Sequence, residues 1–357
     1  MTIPHAFRRR LAGLTLPYFR MELPGWERLS GLIGLPIENG PLWAGATPRT
    51  IRGKTHGLLM TLHMQDWCER LTYFLGRYYE RPLELLVNAL VRPGETFIDV
   101  GGNTGMVTLM GAARVGRGGS VYTFEPNPTL AARIAGLVQM NGLEGVVIVQ
   151  AGLSDVKADL PLTIASESNG WSTFAGVDLS NPALNCQTVI APVAPADDLL
   201  PPDLSGSIAV KIDVEGFECR VLRGMARLIE RSRPAVITEV KPHVLQLAGS
   251  SVAELFGIMH RHGYTGYSVE SVRKGFSHTL VVRELRHGHD RLTNTVVWTH
   301  PESVHHARLK AYDAGGATTP PGTAARIRRA WNEAGALTDA SLQTALRSAV
   351  LHARAQS

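Results

Sequence analysis

The chain has 357 residues, a net charge of +5 and a pI of about 9.2, and 44% of its residues are hydrophobic. This length suits one large domain with extensions or two small domains, and the hydrophobic share is enough for a sizeable core. The three cysteines, Cys68, Cys186 and Cys219, lie far apart, which argues against a disulfide framework or a zinc site. Much of the basic excess lies near the two ends, where it predicts solvated surface rather than a nucleic-acid partner.

No targeting segment is predicted near the start of the sequence. Arginines at 8–10 precede a short apolar run, but Pro17 and Arg20 end this run before it reaches the length of a signal-peptide core or a membrane span. Because cysteine is also sparse, we expect a soluble, cytoplasmic protein with no membrane partner.

Residues 1–90 are predicted to form an N-terminal extension with short helices and a hairpin. Prolines between positions 17 and 48 break any long helix, and residues 50–62 have the pattern of a small hairpin. Residues 66–79 are dense in aromatic side chains, which we interpret as a core contact beside the sheet rather than as a substrate-stacking platform. A helix with leucines on one face follows over 82–90. The extension is also a candidate surface for a homodimer.

A buried strand followed by a glycine turn begins the central part of the chain. Residues 96–100 form a continuous apolar run that contains Asp99, and the turn 101–105 lets the backbone approach a ligand closely. The next apolar stretch predicts a helix whose N-terminus faces that ligand. This order is typical of the first strand and cofactor loop of a doubly wound α/β domain.

The second strand, over 120–124, ends in Glu125. An acid at this position accepts hydrogen bonds from the ribose hydroxyls of an adenosine cofactor, which fits NAD and S-adenosylmethionine equally. The spacing Gly-x-Gly-x-x-Gly of dinucleotide sites is absent, whereas Asp-x-Gly-x-x-x-Gly is formed by Asp99, Gly101 and Gly105. Since Asp99 would repel phosphate but suit a cationic amino group, a cofactor without a pyrophosphate is favoured.

A long segment interrupts the strand and helix alternation. A helix over 126–140 and a strand over 146–150 are predicted first, and residues 152–207 then show two short β-like runs, 160–164 and 187–191, around a polar loop. A connection of this length usually acts as a lid or a substrate wall. We expect Trp171 and Ser172 of the polar loop to contact the substrate.

Acidic residues follow the next two strands. The strand 208–212 precedes Asp213, Glu215 and Glu218, and the strand 234–238 ends in Glu239 with His243 just beyond. Buried acids are costly unless they are paired or used, although a role at the start of the helix 217–230 would also explain Glu215 or Glu218. A helix over 252–262 and closing strands at 263–269 and 294–298 complete the predicted sheet.

These motifs together resemble the FkbM family of S-adenosylmethionine-dependent methyltransferases. The resemblance covers roughly residues 55–270 and is carried by the segments 76–80, 99–105, 124–127, 197–200 and 212–218 and by the strand that ends in Glu239. It implies a doubly wound, Rossmann-like, seven-stranded methyltransferase sheet, which we assign to residues 91–300. The residue patterns at the two ends, which the resemblance does not cover, predict helical extensions over 1–90 and 301–357. The resemblance also implies O-methylation of a hydroxyl on a sugar moiety or a polyketide-type natural product.

Site residues follow from the motif positions. The candidate cofactor-binding residues are Asp99, Gly101, Asn103, Gly105, Glu125, Pro126, Gly152 and Asp213. The candidate catalytic residues are Asp213, Glu215, Glu239 and His243. We expect Asp213 to act as base or orienter, with His243 as the alternative base. At 152 the family more often has alanine, a difference that affects adenine packing.

Other functions stay open at this point. A divalent cation such as Mg²⁺ bridging Asp213 and Glu239 is compatible with the oxygen ligands but is not favoured. The missing dinucleotide spacing argues against a nicotinamide-dependent oxidoreductase. The base-gripping Asn/Asp-Pro-Pro-aromatic motif of nucleic-acid methyltransferases is absent after strand 208–212. A non-catalytic interaction protein with a cofactor fold is disfavoured by the intact acids.

Overall fold

A computed structural model describes residues 5–165, 172–175, 186–275, 277–285 and 292–313. Trp171 and the part of the predicted C-terminal extension after residue 313 lie outside these residues. In the described part of the chain, no helix is both long and apolar enough to cross a membrane. The predicted domain boundaries at 90 and 300 stay predictions.

Short helices and one antiparallel hairpin precede the sheet. In chain order they are α1 (His5–Leu14), α2 (Leu16–Arg20), α3 (Trp26–Leu32), a 3-10 turn (Ile37–Asn39), α4 (Gly40–Trp43), β1 (Arg49–Arg52), β2 (Leu59–Leu62), α5 (Trp67–Leu75) and α6 (Arg81–Leu90). Asp66 begins α5, since its carboxylate accepts the backbone N–H of Glu69 at 2.9 Å.

From Thr96 onward, strands and helices alternate as the sequence predicts. The first part contains β3 (Thr96–Val100), α7 (Met106–Val115), β4 (Ser120–Phe124), α8 (Pro128–Asn141) and β5 (Val146–Val149). An insertion follows with β6 (Gly152–Leu153), β7 (Ala158–Ala165), β8 (Ser172–Thr173), β9 (Cys186–Ala194) and α9 (Ala196–Leu199). The last part contains β10 (Ile208–Ile212), α10 (Glu218–Arg223), α11 (Ala226–Ser232), β11 (Ala235–Glu239), α12 (Pro242–Leu247), α13 (Val252–Arg261), β12 (Thr265–Lys274), β13 (Ser277–Glu284), β14 (Thr295–Thr299) and α14 (Val304–Lys310).

The main sheet has the order β13-β12-β14-β11-β10-β3-β4-β5 within the described ranges. The five strands from β11 to β5 are parallel, and β14, β12 and β13 add antiparallel pairs. Strand order reverses between β3 and β10, which confirms the doubly wound α/β class and puts a ligand at the carboxyl ends of these strands. The expected count of seven strands was one too low, because β13 adds an outer strand beside β12.

Both faces of the sheet are covered by helices, which explains the continuous apolar runs. Ile98 and Val210 pack into one core with α10, α11 and α13. Phe97 and Ala209, the alternate residues, pack into a second core with α6 and α7. The site therefore lies at the edge of a sheet that is buried on both sides.

The insertion forms a second sheet with the order β6-β9-β7-β8. The two predicted β-like runs correspond to β7 and β9, which pair antiparallel over eight residues from Ala158 to Ala165. The short strand β8 pairs with the end of β7. This pairing carries Ser172 and the residues after it to the main sheet.

The predicted helix 217–230 is instead two helices, α10 and α11. The first helix ends at Gly224, where a Cβ atom would lie 1.9 Å from the carbonyl oxygen of Ser154. The backbone after β6 therefore packs directly against the junction of the two helices.

A buried ion cluster holds three segments of the N-terminal part together. Glu22 is 1% exposed and accepts bonds from Arg77 Nη2 at 2.7 Å and Lys54 Nζ at 2.6 Å. Arg77 Nη1 in turn donates to the carbonyl oxygen of Tyr78 at 2.6 Å. This cluster fixes the backbone of 78–80, which lines the cavity described next.

Candidate active site

A cavity of about 270 Å³ lies at the carboxyl ends of β3, β4, β10 and β11. From the main sheet it is lined by Gly101, Gly102, Asn103, Glu125, Pro126, Lys211, Asp213, Glu215, Glu239 and Lys241. The N-terminal part contributes Asp66, Trp67, Cys68, Glu69, Thr72, Tyr78, Tyr79 and Glu80, and the insertion contributes Gly152, Leu153, Leu162, Ser172 and Phe174. Three parts of the chain thus enclose one site.

The turn after β3 brings the predicted cofactor loop against the end of β10. Gly101 has φ +81°, and a Cβ atom there would lie 2.0 Å from the carbonyl oxygen of Asp213. Only glycine permits both this backbone conformation and this close approach. The backbone N–H groups of Gly101 and Gly102 both donate to the carbonyl oxygen of Phe124 at 3.0 Å.

Glu125 lies at the end of β4 and is 3% exposed. Its Oε2 accepts the backbone N–H of Asn103 at 2.7 Å, and its Oε1 accepts the backbone N–H of Asn127 at 2.9 Å. Burial raises the pKa of Glu125 to about 7. A carboxylate oxygen accepts more than one hydrogen bond, so both oxygens keep the capacity to bind hydroxyl groups in the cavity.

Asp99 is fully buried and does not line the cavity, so its expected contact with the cofactor stays a prediction that this placement does not support. It accepts a bond from Thr108 at 2.8 Å and lies beside its partner in the strand register, Lys211, with Nζ to Oδ1 at 3.4 Å. Lys211 is 4% exposed, donates to the carbonyl oxygen of Gly101 at 2.8 Å and lies 3.6 Å from Asp213 Oδ2. Asp99 therefore holds a lysine that contacts both halves of the site.

Three acids converge at the ends of β10 and β11. One oxygen from each of Asp213, Glu215 and Glu239 lies within 4.8 Å of the others. Lys241 lies among them, with Nζ 3.0 Å from Glu215 Oε1 and 2.9 Å from Glu239 Oε2. An ammonium group thus already compensates the charge that a divalent cation would compensate.

The acids differ in their affinity for a proton. Burial and the neighbouring Asp213 raise the pKa of Glu239 to about 9. Burial also acts to raise the pKa of Asp213, but Lys211 and Lys241 outweigh it, so the net direction is downward. The two pKa values are thus pushed apart, and Asp213 is the more acidic member of the pair.

Glu218 holds the turn between β10 and α10. Its Oε1 accepts the backbone N–H groups of Val214 and Gly216 at 3.2 Å each. Glu215 has φ +50°, and its carbonyl oxygen accepts the hydroxyl of Thr173 at 2.7 Å. Glu218 is a structural acid, as one of the two sequence interpretations had it.

Some predicted residues are not brought to the cavity. Gly105 begins α7 and packs against Ile134 of α8, where a Cβ atom would lie at 3.1 Å from Cγ1. His243 is exposed on α12 and does not line the cavity, so its placement does not support the alternative base. Trp171 lies outside the described residues, whereas Ser172 does line the cavity and accepts the side-chain amide of Asn127 at 3.3 Å.

Other lining residues were not predicted as site residues. Lys211 was detectable as a charged residue inside an apolar strand, in register with Asp99. The aromatic segment 66–79 contributes both to the core and to the cavity. Phe74 is in the core, while Trp67 and Tyr79 line the cavity with ring centroids 5.1 Å apart. Glu80 lies among the acids, and burial followed by Asp213 raises its pKa.

The family comparison agrees with this site. A doubly wound sheet with an acid at the end of its second strand is an arrangement that suits a nucleoside-type ligand at the switch point. A family model described as the methyltransferase FkbM domain matches residues 99–265. This match confirms the resemblance that the motifs predicted.

Individual relatives are similar over parts of their length. A protein named Methyltransferase 1 from Beauveria bassiana (strain ARSEF 2860) is 30% identical over 149 residues, which are 37% of this chain and 59% of the relative. The chain thus spans about three fifths of that relative. Solved structures include methyltransferase FkbM from Methylobacillus flagellatus KT, with 15% identity, TM-score 0.34 and coverage of 66% of this chain and 54% of that one. Another is an S-adenosylmethionine-dependent O-methyltransferase from Thermotoga maritima, with 15% identity and a TM-score of 0.33. The match covers 62% of this chain and 65% of that one. Neither structural likeness is strong enough to bear on this chain's activity.

Proposed function

We propose that the protein is an S-adenosylmethionine-dependent O-methyltransferase that acts on a hydroxyl group of a sugar moiety or a polyketide-type small molecule. The observation that carries the proposal is the sharing of one cavity by Glu125 at the end of β4 and Asp213 at the end of β10. The first residue suits a nucleoside, and the second suits a hydroxyl group that must lose a proton.

The residues fit an adenosine cofactor without a pyrophosphate. Glu125 is already oriented by two backbone N–H groups, and both of its oxygens keep acceptor capacity for ribose hydroxyls. Gly101 lets the loop after β3 pack against the carbonyl oxygen of Asp213, where a side chain would collide. S-adenosylmethionine, when bound, supplies an electrophilic methyl group on a sulfonium.

Asp213 is the side chain that supports base catalysis. Methyl transfer to an alcohol requires the hydroxyl proton to leave, and a positioned carboxylate accelerates such a step by roughly 10²–10⁴. Lys211 and Lys241 lower the pKa of Asp213 and so favour its ionised form, while burial and Asp213 raise the pKa of Glu239. This arrangement favours one ionised carboxylate at the ends of β10 and β11.

The proposal is tested by methyl transfer from isotope-labelled S-adenosylmethionine to a panel of glycosides and polyketide-type alcohols, read by mass spectrometry. We expect label on a hydroxyl oxygen of at least one acceptor. Binding of NADH without any binding of S-adenosylhomocysteine would instead support an oxidoreductase. Cofactor binding without transfer to any acceptor in the panel or in cell extracts would favour a non-catalytic protein.

Asp213→Asn is the decisive variant for the catalytic assignment. We expect kcat to fall by about 10²–10⁴ because the amide cannot accept the proton. The affinity for S-adenosylhomocysteine should stay within a few-fold of the unmodified protein. Asp203→Asn, at an exposed position, is the matched control and should leave both quantities unchanged. An active Asp213→Asn variant would remove Asp213 as the base.

A further inference from the structure

We propose that Phe174 forms the wall against which the adenine ring of the cofactor packs, and that residue 152 is glycine because the Phe174 ring occupies the space of its side chain. The inference rests on the proposed function for the identity of the ligand. It assigns a binding residue from the insertion, in a segment where the sequence indicated only a lid or a wall.

Phe174 lines the same cavity as Glu125, together with the apolar side chains of Leu130 from α8 and Leu153 and Leu162 from the insertion. Its strand lies beside the turn that holds Glu125, because Ser172 accepts the side-chain amide of Asn127, whose backbone N–H binds Glu125. A base attached to a ribose that is bound at Glu125 can therefore reach the Phe174 ring. The faces of a purine are apolar and suit packing against an aromatic ring.

Gly152 and Phe174 share one space. A Cβ atom at residue 152 would lie 2.6 Å from Cε2 and 3.0 Å from Cζ of Phe174, and 3.1 Å from Cγ1 of Val193. Unlike Gly101, Gly152 does not have the left-handed backbone that favours glycine. The requirement for glycine at 152 is therefore steric, and its main source is the Phe174 ring.

The Phe174 ring is fixed from several sides. Its centroid lies 5.4 Å from that of Phe217, with the two ring planes tilted by 41°. The preceding residue, Thr173, is buried and donates its hydroxyl to the carbonyl oxygen of Glu215. Ser172 is bonded to Asn127, which begins the helix after Glu125. A ring held in this way needs little ordering when a base packs against it.

A double-mutant cycle tests the inference on the full chain. Dissociation constants for S-adenosylhomocysteine are measured by calorimetry for Gly152→Ala, Phe174→Ala and the double variant. We expect Phe174→Ala to weaken binding by about tenfold through loss of stacking. Gly152→Ala should weaken binding several-fold, because its methyl group displaces the ring. In the double variant the glycine substitution should add nothing further, since the ring it displaces is absent.

A control variant and a second ligand separate the loss of the adenine contact from a general loss of binding. Gly136→Ala, on α8 with open space around its Cβ position, should leave the affinity unchanged. 5′-Methylthioadenosine should lose affinity by the same factor as S-adenosylhomocysteine, because the effect lies at the nucleoside. If Phe174→Ala does not fold, as judged by circular dichroism, Phe174→Leu replaces it in the cycle.

Failure of this inference differs from failure of the proposed function. If the unmodified protein binds S-adenosylhomocysteine and Phe174 variants bind it equally well, the adenine assignment is wrong. Additive effects of the two substitutions would likewise overturn the shared-space argument. If the unmodified protein binds neither S-adenosylhomocysteine nor 5′-methylthioadenosine, the proposed function is wrong as well.

Discussion

Glu125 combines a structural role with the binding role that we propose for it. Its two oxygens join the loop after β3 to the turn before α8 through the backbone N–H groups of Asn103 and Asn127. Because both bonds come from backbone donors, the carboxylate is oriented before any ligand arrives. Preorganised acceptors of this kind bind hydroxyl groups without a further ordering cost.

Glu125→Gln should therefore weaken cofactor binding by about 10- to 100-fold. One end of the amide becomes a donor and must face a backbone N–H group, which also is a donor. Calorimetric titration with S-adenosylhomocysteine measures the effect, and Glu144→Gln at an exposed position is the control. An unchanged dissociation constant would remove Glu125 as the ribose-binding residue.

Asp99 illustrates how the strand register can change the interpretation of a motif. The sequence shows an acid two residues before the glycine turn and so predicts a contact with a cationic ligand group. The strand register sets Asp99 opposite Lys211, and the lysine, rather than the acid, lines the cavity. Cross-strand pairing over more than a hundred residues is not visible in a local pattern, although a lysine within an apolar strand is a signal that a partner for its charge is needed.

At the level of elements, the sequence predicts those features of the site that follow from a parallel sheet. Carboxyl ends of parallel strands share one edge, so the acids after β4, β10 and β11 were expected together and are together. The outer strand β13 was missed because it pairs only with β12. The end of α10 at Gly224 and the position of Phe174 involve contacts with residues 154 and 152, which periodicity does not encode.

The acids of β10 and β11 allow a prediction about metal removal. Their close oxygens would suit Mg²⁺, but Lys241 already lies 3.0 Å from Glu215 and 2.9 Å from Glu239. We expect methyl transfer to be unchanged after dialysis against EDTA and after addition of Mg²⁺. Lys241→Met should lower activity, because it leaves neighbouring acids uncompensated. Loss of activity in EDTA that Mg²⁺ restores would establish a metal site instead.

For the molecule as a whole, two sets of buried groups change the stability of the fold in opposite directions as the pH falls. Burial raises the pKa of Glu125 and of Glu218 to about 7, so the folded state binds protons that unfolded carboxyls release, and these groups favour folding as the pH falls. Burial lowers the pKa of His56, His278 and His305 to about 4, and these groups oppose folding over the same range. The net curve alone therefore identifies no single group.

His305 offers the clearest test of this balance. It is 2% exposed, and burial followed by the charge of Arg308 lowers its pKa to about 4. Between its ordinary pKa near 6.5 and pH 4 the unfolded chain binds a proton that the folded chain excludes, so stability is lost as the pH falls through this window. The expected loss is about 2 kcal/mol at pH 5 relative to pH 8. The free energy of unfolding in urea should lose this part of its pH dependence in His305→Gln, whatever the absolute stability of the variant. His243→Gln, on the surface, should keep it. An identical slope in all three proteins would show that His305 titrates as it does in water.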